Sequence, residues 1–156
     1  MFDTVLIAGL GLMGGSMAKT IKARTLSRVL GWNRTRATAE QALADGSIDA
    51  IATEALYKEA DLVIIGLYPQ ATVDWLLENM PKMKKGCVIV DMVGVKQFMV
   101  DHLEQAALDA GVHYVGGHPM AGREFSGLDF ALPTLFDGAS MIFVPTRSSS
   151  ERILSQ

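Results

Sequence analysis

Val5-Leu6-Ile7-Ala8-Gly9-Leu10-Gly11-Leu12-Met13-Gly14-Gly15-Ser16 decides the fold of this chain, because an apolar run breaks there into clustered glycines. Val5 to Ala8 is too short for a helix and is bounded at once by turn residues, so it reads as a buried parallel strand. Gly9, Gly11 and Gly14 give the spacing G-x-G-x-x-G, and Met17, Ala18, Ile21 and Ala23 then follow a helical period. Between a strand and a helix, each glycine has its own task. Gly9 permits the tight turn, Gly11 lets a pyrophosphate approach the backbone, and Gly14 lets the helix pack against the strand. The helix offers its free N–H groups and the positive end of its dipole to the phosphates. Leu10, Leu12 and Met13 belong to the same cofactor-binding turn. The stretch predicts dinucleotide binding rather than a purely structural glycine turn.

The rest of the chain fits that reading. Its 156 residues suit one domain with a substantial core. With 49% hydrophobic and 20% charged residues, the composition is globular rather than disordered. No apolar run has the length of a membrane span, and Asp3 interrupts the N-terminus where a signal peptide would need a basic region. A single cysteine, Cys87, excludes an intramolecular disulfide framework and fits a reducing cytoplasm. Placed in Cys87-Val88-Ile89-Val90, it reads as a buried structural thiol. A net charge of −3 without a basic block argues against nucleic acid. No His/Cys/Asp/Glu cluster has metal-ligand spacing, so no metal is expected.

Strand-like runs alternate with helix-like segments, the pattern of a doubly wound, mostly parallel α/β sheet with helices on both faces. Arg28 to Asn33 reads as the second strand. Thr35 caps a helix to about Ala44, with Ala39, Ala42 and Leu43 inward, ending at Asp45-Gly46. Ile48 to Ile51 reads as a short strand and Thr53 to Ala60 as a small amphipathic helix. Asp61 to Leu67 is a buried strand, followed by a helix from Pro69 to Asn79 with proline in its first turn. Cys87 to Asp91 is the next strand, and a helix from Lys96 to Ala110 stops at Gly111. His113 to Val115 starts a further strand, and a long loop is expected from Gly116 to Gly127. Ala139 to Val144 is the last strand, closed by Pro145. Ser148-Ser149-Ser150-Glu151 has capping-box spacing, so a helix is expected to begin there and run into Gln156.

The end of the second strand bears on which cofactor binds. An Asp or Glu about twenty residues after the glycines usually accepts the ribose hydroxyls of NAD. This chain has Asn33 there, followed by Arg34, Thr35 and Arg36. A carboxylate repels a 2′-phosphate, whereas guanidinium and hydroxyl donors accept it. A cation is also poorly placed at a helix N-terminus unless something anionic sits there. NADP is therefore preferred, with NAD possible, and Asn33, Arg34 and Thr35 are the contact candidates. Leu67, Tyr68 and Pro69 follow a central strand and are expected near the nicotinamide or the adenine-side ribose, mainly through backbone atoms.

Among the three histidines, His102 lies on a charged helix and His113 opens a strand. His118 stands among glycines at the carboxyl end of a strand, where open α/β sheets bind ligands. An imidazole there can take a proton from a substrate hydroxyl at neutral pH. Hydride abstraction from an alcohol-bearing carbon requires such a base.

Gly9-x-Gly11-x-x-Gly14-Gly15-Ser16, Asp91 through Lys96, and Gly117-His118-Pro119-Met120-Ala121-Gly122-x-Glu124-x-Ser126-Gly127 together resemble the prephenate dehydrogenase family. The resemblance runs from Val5 to about Pro145. It implies a Rossmann-like domain in an NAD(P)-dependent enzyme that oxidatively decarboxylates prephenate to 4-hydroxyphenylpyruvate in tyrosine biosynthesis. His118 would bond the ring hydroxyl and accept its proton as hydride leaves the same carbon. Lys96, Arg123 and Ser126 are the substrate-contact candidates. Gly94 departs from the family, which usually has a serine there to orient the histidine or the substrate. The resemblance also implies a C-terminal helical domain that makes a homodimer and supplies an arginine for the substrate. By that reading residues 1–146 are the dinucleotide-binding domain and 147–156 open a truncated helix leading to the missing domain. The polypeptide alone is then expected to bind NADP(H) and to turn over prephenate poorly or not at all. Arogenate dehydrogenase and a non-catalytic nucleotide-binding module are the alternatives.

Overall fold

A computed structural model describes residues 2–149 and 151–155, apart from the side chains of Glu151 and Arg152. In chain order the elements are β1 (Thr4–Ala8), α1 (Leu12–Arg24), β2 (Arg28–Trp32), α2 (Arg36–Ala44), β3 (Ala50–Ile51), α3 (Glu54–Tyr57) and β4 (Leu62–Ile65). They continue with α4 (Pro69–Asn79), β5 (Val88–Asp91), α5 (Lys96–Ala110), β6 (His113–Pro119), β7 (Met141–Pro145) and α6 (Glu151–Leu154). The described strands form one sheet in the order β3-β2-β1-β4-β5-β6-β7. All pairs are parallel except β6 with β7. The order reverses between β1 and β4, which is where such sheets open a crevice for ligands.

Successive residues of a strand face opposite sides, and here both sides are covered. Leu6 and Ala8 pack with Val63, Ile65 and Ile89 against Trp75 and Leu76 of α4 and Met99 and Leu103 of α5. Val5 and Ile7 pack with Val29 and Ile64 against Ala18 of α1 and Ala39 and Ala42 of α2. That explains the unbroken apolar run of β1. Exposed ion pairs such as Arg28–Glu59 add no more than about 1 kcal/mol each, so the two apolar layers dominate stability. Asp61 ties the amino ends of β1 and β4 together, accepting from the amides of Asp3 and Thr4 at 3.0 and 2.8 Å and from the Lys84 ammonium. Burial works to raise its carboxyl, but the Lys84 bond and these amides outweigh it and hold it below its ordinary value.

Several boundaries differ from the sequence reading. The largest correction concerns β6. It does not give way to a loop at Gly116 but runs on to Pro119, so His118 sits on a strand, opposite Ile142 of β7. Gly117 is required by close packing rather than by a turn, and Gly116 is merely tight. A Cβ on Gly117 would collide with the Asp91 carbonyl oxygen, and one on Gly116 would lie 3.0 Å from Cδ of Lys96. The last strand is Met141–Pro145, and it includes the proline that was expected to close it. The third strand keeps only Ala50–Ile51, and α3 only Glu54–Tyr57. Ala23 and Leu43, expected inside, are exposed. Both lie near helix ends, where the apolar stripe has run past the sheet. Thr35 is the N-cap residue of α2 but makes no side-chain cap bond. The expected C-terminal helix is present as Glu151–Leu154, but Ser148 does not open it: its hydroxyl accepts from the Tyr114 amide at 2.9 Å. Ser150 and the Glu151 side chain of the same capping-box reading lie outside what is described.

Candidate functional site: a glycine-lined cleft and a strand-borne histidine

Three glycines bring β1, α1 and the end of β4 together. Gly9 adopts φ 93° and its amide bonds the Trp32 carbonyl at 2.8 Å. A Cβ on Gly9 would lie 2.7 Å from the Gly66 carbonyl oxygen, and one on Gly14 would collide with the Gly9 carbonyl oxygen. A Cβ on Gly66 would lie 3.0 Å from the Gly14 amide nitrogen. Gly11, the N-cap residue of α1, is different: nothing lies within 4 Å of its would-be Cβ. It faces the open cleft.

That cleft holds about 300 Å³. Its lining includes Gly11, Leu12, Met13, Leu67, Tyr68 and Ser126. No acidic residue occupies the first turn of α1. Free amides at a helix start, an unobstructed Gly11 and no competing carboxylate suit a pyrophosphate. Leu10 is buried, with its amide 2.9 Å from Oδ1 of Asn33, while the Asn33 amide group donates to the Thr35 carbonyl at 3.0 Å. Asn33 thus clamps the glycine turn to the end of β2. Tyr68 is exposed as the N-cap residue of α4, and Pro69 opens that helix.

The arginines divide sharply. Arg24, Arg28, Arg36 and Arg147 each pair with a carboxylate. Arg34 and Arg123 alone among the described arginine side chains have no acidic partner. Arg123 lies 5.1 Å from the Phe125 ring centroid, and Phe125 stacks on Phe130 at 4.7 Å. Such contacts position a guanidinium without neutralising it.

His118 stands at the carboxyl end of β6, on the same edge of the sheet as Gly9 and Gly66. Beside it a buried network joins β5, α5 and β6. Asp91, fully buried, accepts from the Lys96 ammonium, from the Tyr114 hydroxyl at 2.6 Å and from the Val93 amide at 2.8 Å. Burial pushes the Lys96 ammonium below its ordinary value, against the opposing pull of Asp91. Burial, followed by the Asp91 charge, raises the Tyr114 hydroxyl. Lys96 therefore compensates a buried carboxylate instead of pointing a free charge at the cleft. The Cys87 thiol, pushed by burial to about 12, is inert.

Sequence reasoning missed Gly66, Met92, Phe125 and Gly127, which also line the cleft. For Gly66 the signal was a glycine ending a buried strand. Phe125 and Gly127 flank Ser126 in the same segment. Tyr114 carried no signal, because its partner Asp91 is 23 residues away. A second, apolar groove of about 290 Å³ lies against the α1 side of the sheet, with Met17, Ile64 and Phe143 in its wall and no titratable group. Among the described residues no group of three or more His, Cys, Asp or Glu side chains could hold a metal ion. No described helix is long and apolar enough to cross a membrane.

A glycine-cradled helix start at the switch point of a doubly wound sheet defines a Rossmann-like, NAD(P)-binding domain. The family model for the prephenate dehydrogenase nucleotide-binding domain matches residues 17–156, and the chain belongs to that family. A prephenate dehydrogenase of Bacillus subtilis is 36% identical over 160 residues, covering 100% of this chain and 43% of the relative. A. aeolicus prephenate dehydrogenase, solved in complex with hydroxyphenyl propionate and NAD+, superposes with a TM-score of 0.89 at 26% identity. The match covers 99% of this chain and 55% of that one. Synechocystis arogenate dehydrogenase gives 0.87 at 25% identity, covering 97% and 53%. The chain thus spans about half the length of the relatives it matches.

Proposed function

We propose that this chain is the cofactor-binding part of an NAD(P)-dependent enzyme that oxidatively decarboxylates prephenate to 4-hydroxyphenylpyruvate in tyrosine biosynthesis. The observation that carries the reading is the common edge of the sheet shared by the glycine-lined cleft and His118. Bound in the cleft, the nicotinamide supplies a hydride acceptor. His118 takes the proton of the ring hydroxyl as hydride leaves the same carbon. The bond to the ring carboxylate then breaks, carbon dioxide departs, its electron pair completes the aromatic ring, and the ring oxygen takes its proton back from His118. Arg123 and Ser126 contact the substrate, while Lys96, the third candidate, is engaged by the buried Asp91 carboxylate. Arogenate is the second reading, supported by the likeness to the Synechocystis enzyme.

Arg34, without an acidic partner, supports a preference for NADP over NAD, with Thr35 beside it. Residues 1–146 form the cofactor domain, and 147–156 lead toward a further helical domain that makes the complete enzyme a cytoplasmic homodimer. The doubled length of the relatives supports this division. Calorimetric titration is expected to show tighter NADP than NAD binding. Arg34→Ala is expected to weaken NADP roughly tenfold to hundredfold, the worth of one charge-assisted bond. Equal affinity for both cofactors in the unaltered chain would refute the preference. Prephenate-dependent absorbance of the reduced nicotinamide, followed in a polypeptide of the relatives' full length, tests the base. His118→Asn is expected to slow turnover roughly 10²- to 10⁴-fold, and unchanged turnover would remove His118 from the reaction.

A further inference from the structure

We propose that Gly94 decides the tautomer freedom of His118: by offering no side chain it leaves the imidazole free to exchange tautomers. The inference deepens the role of His118 just proposed and rests on it for its functional meaning, but not for its test. Nδ1 of His118 is buried and has no hydrogen-bond partner. The ionisable groups nearby are occupied, since Lys96 and Tyr114 both donate to Asp91. A Cβ on Gly94 would lie 3.9 Å from Nδ1 and 3.6 Å from Cε1 of that ring, with nothing else within 4 Å. Gly94 is not among the glycines with positive φ, so a side chain there strains nothing. A hydroxyl one bond beyond that Cβ comes within hydrogen-bond range of Nδ1.

A neutral imidazole carries one donor and one acceptor, and the partner of one nitrogen decides which is which. With Nδ1 buried, a substrate proton reaches the ring through Nε2. That requires the tautomer with hydrogen on Nδ1. In this chain that tautomer buries a donor with no acceptor, and the opposite tautomer buries an acceptor with no donor. Neither is favoured by a neighbour. The strand fixes the backbone of His118, and Gly94 supplies no partner that would select a tautomer.

Long-range proton–nitrogen spectra of the 15N-labelled chain, free of cofactor and substrate, test this directly. The His118 ring signals are assigned by their loss in His118→Asn. The unaltered chain and Gly94→Ala are expected to give averaged nitrogen shifts of exchanging tautomers. Gly94→Ser is expected to move the tautomer ratio about five- to tenfold away from that of Gly94→Ala, toward whichever tautomer the hydroxyl pairs with, the population equivalent of one net hydrogen bond. Gly94→Thr supplies the same hydroxyl if the serine variant does not fold. A single tautomer in the unaltered chain, or the same spectrum for the alanine and hydroxyl variants, overturns the proposal. Because no cofactor or prephenate is present, failure of the dehydrogenase reading leaves this result intact, and the reverse also holds.

Discussion

Gly14→Ala is expected to abolish measurable NADP and NAD binding and to lower the melting temperature by roughly 6–12 °C, the equivalent of about 3 kcal/mol of overpacking. The added methyl meets backbone, which cannot swing aside as a side chain can. Its Cβ would collide with the Gly9 carbonyl oxygen and lie 3.0 Å from the Gly9 carbonyl carbon and 3.2 Å from Cγ2 of Ile7. Relief requires α1 to move off β1, and the helix start that faces the cleft moves with it. Gly11→Ala is the informative contrast. Its methyl meets nothing in the chain, so the melting temperature should hold while cofactor affinity falls. Scanning calorimetry and cofactor titration of the two variants separate packing from ligand approach. Normal binding by Gly14→Ala would defeat the argument.

Lys96→Met is expected to destabilise the fold by about 3–5 kcal/mol, because it leaves the Asp91 charge buried without compensation. Asp91 has no exposed surface, and the Lys96 side chain retains only 16% of its own. The Tyr114 hydroxyl and the Val93 amide still donate to the carboxylate, but neither carries charge. The double variant Asp91→Asn/Lys96→Met removes both charges and should recover most of the loss, since a well-packed neutral pair is often as stable as the ion pair it replaces. Chemical denaturation of the two single variants and the double variant closes the cycle. Additive losses would mean that the two residues act separately.

Features decided by local chemistry were legible in the sequence. The strand–glycine–helix unit, the proline opening α4, and the stop of α5 at Gly111, which takes φ 69°, all depend on neighbours within a few residues. The limits of α5, Lys96 to Ala110, fall about where the sequence placed them. What escaped depends on contacts distant in sequence. Gly116 and Gly117 look like turn residues, yet they lie inside β6, paired with Val144 and Phe143 of β7. The reversal at β7 depends on pairing Val115 with Pro145, thirty residues on, and no local pattern encodes that. Asn33 was singled out for its missing charge. Its clamp on Leu10 and Thr35 became visible only once β1 and β2 lay side by side.

Placing His118 on β6 changes where its conformational entropy is lost. A base carried on a loop must be ordered when ligand arrives, and that cost, on the order of 1–2 kcal/mol for each residue ordered, subtracts from binding. Here the β6–β7 ladder orders the main chain from Val115 to Pro119 while the domain folds. Only the side-chain torsions of the imidazole are left to settle when ligand binds. The antiparallel strand at the edge of the sheet thus makes the base part of the folded framework rather than of the ligand-induced rearrangement.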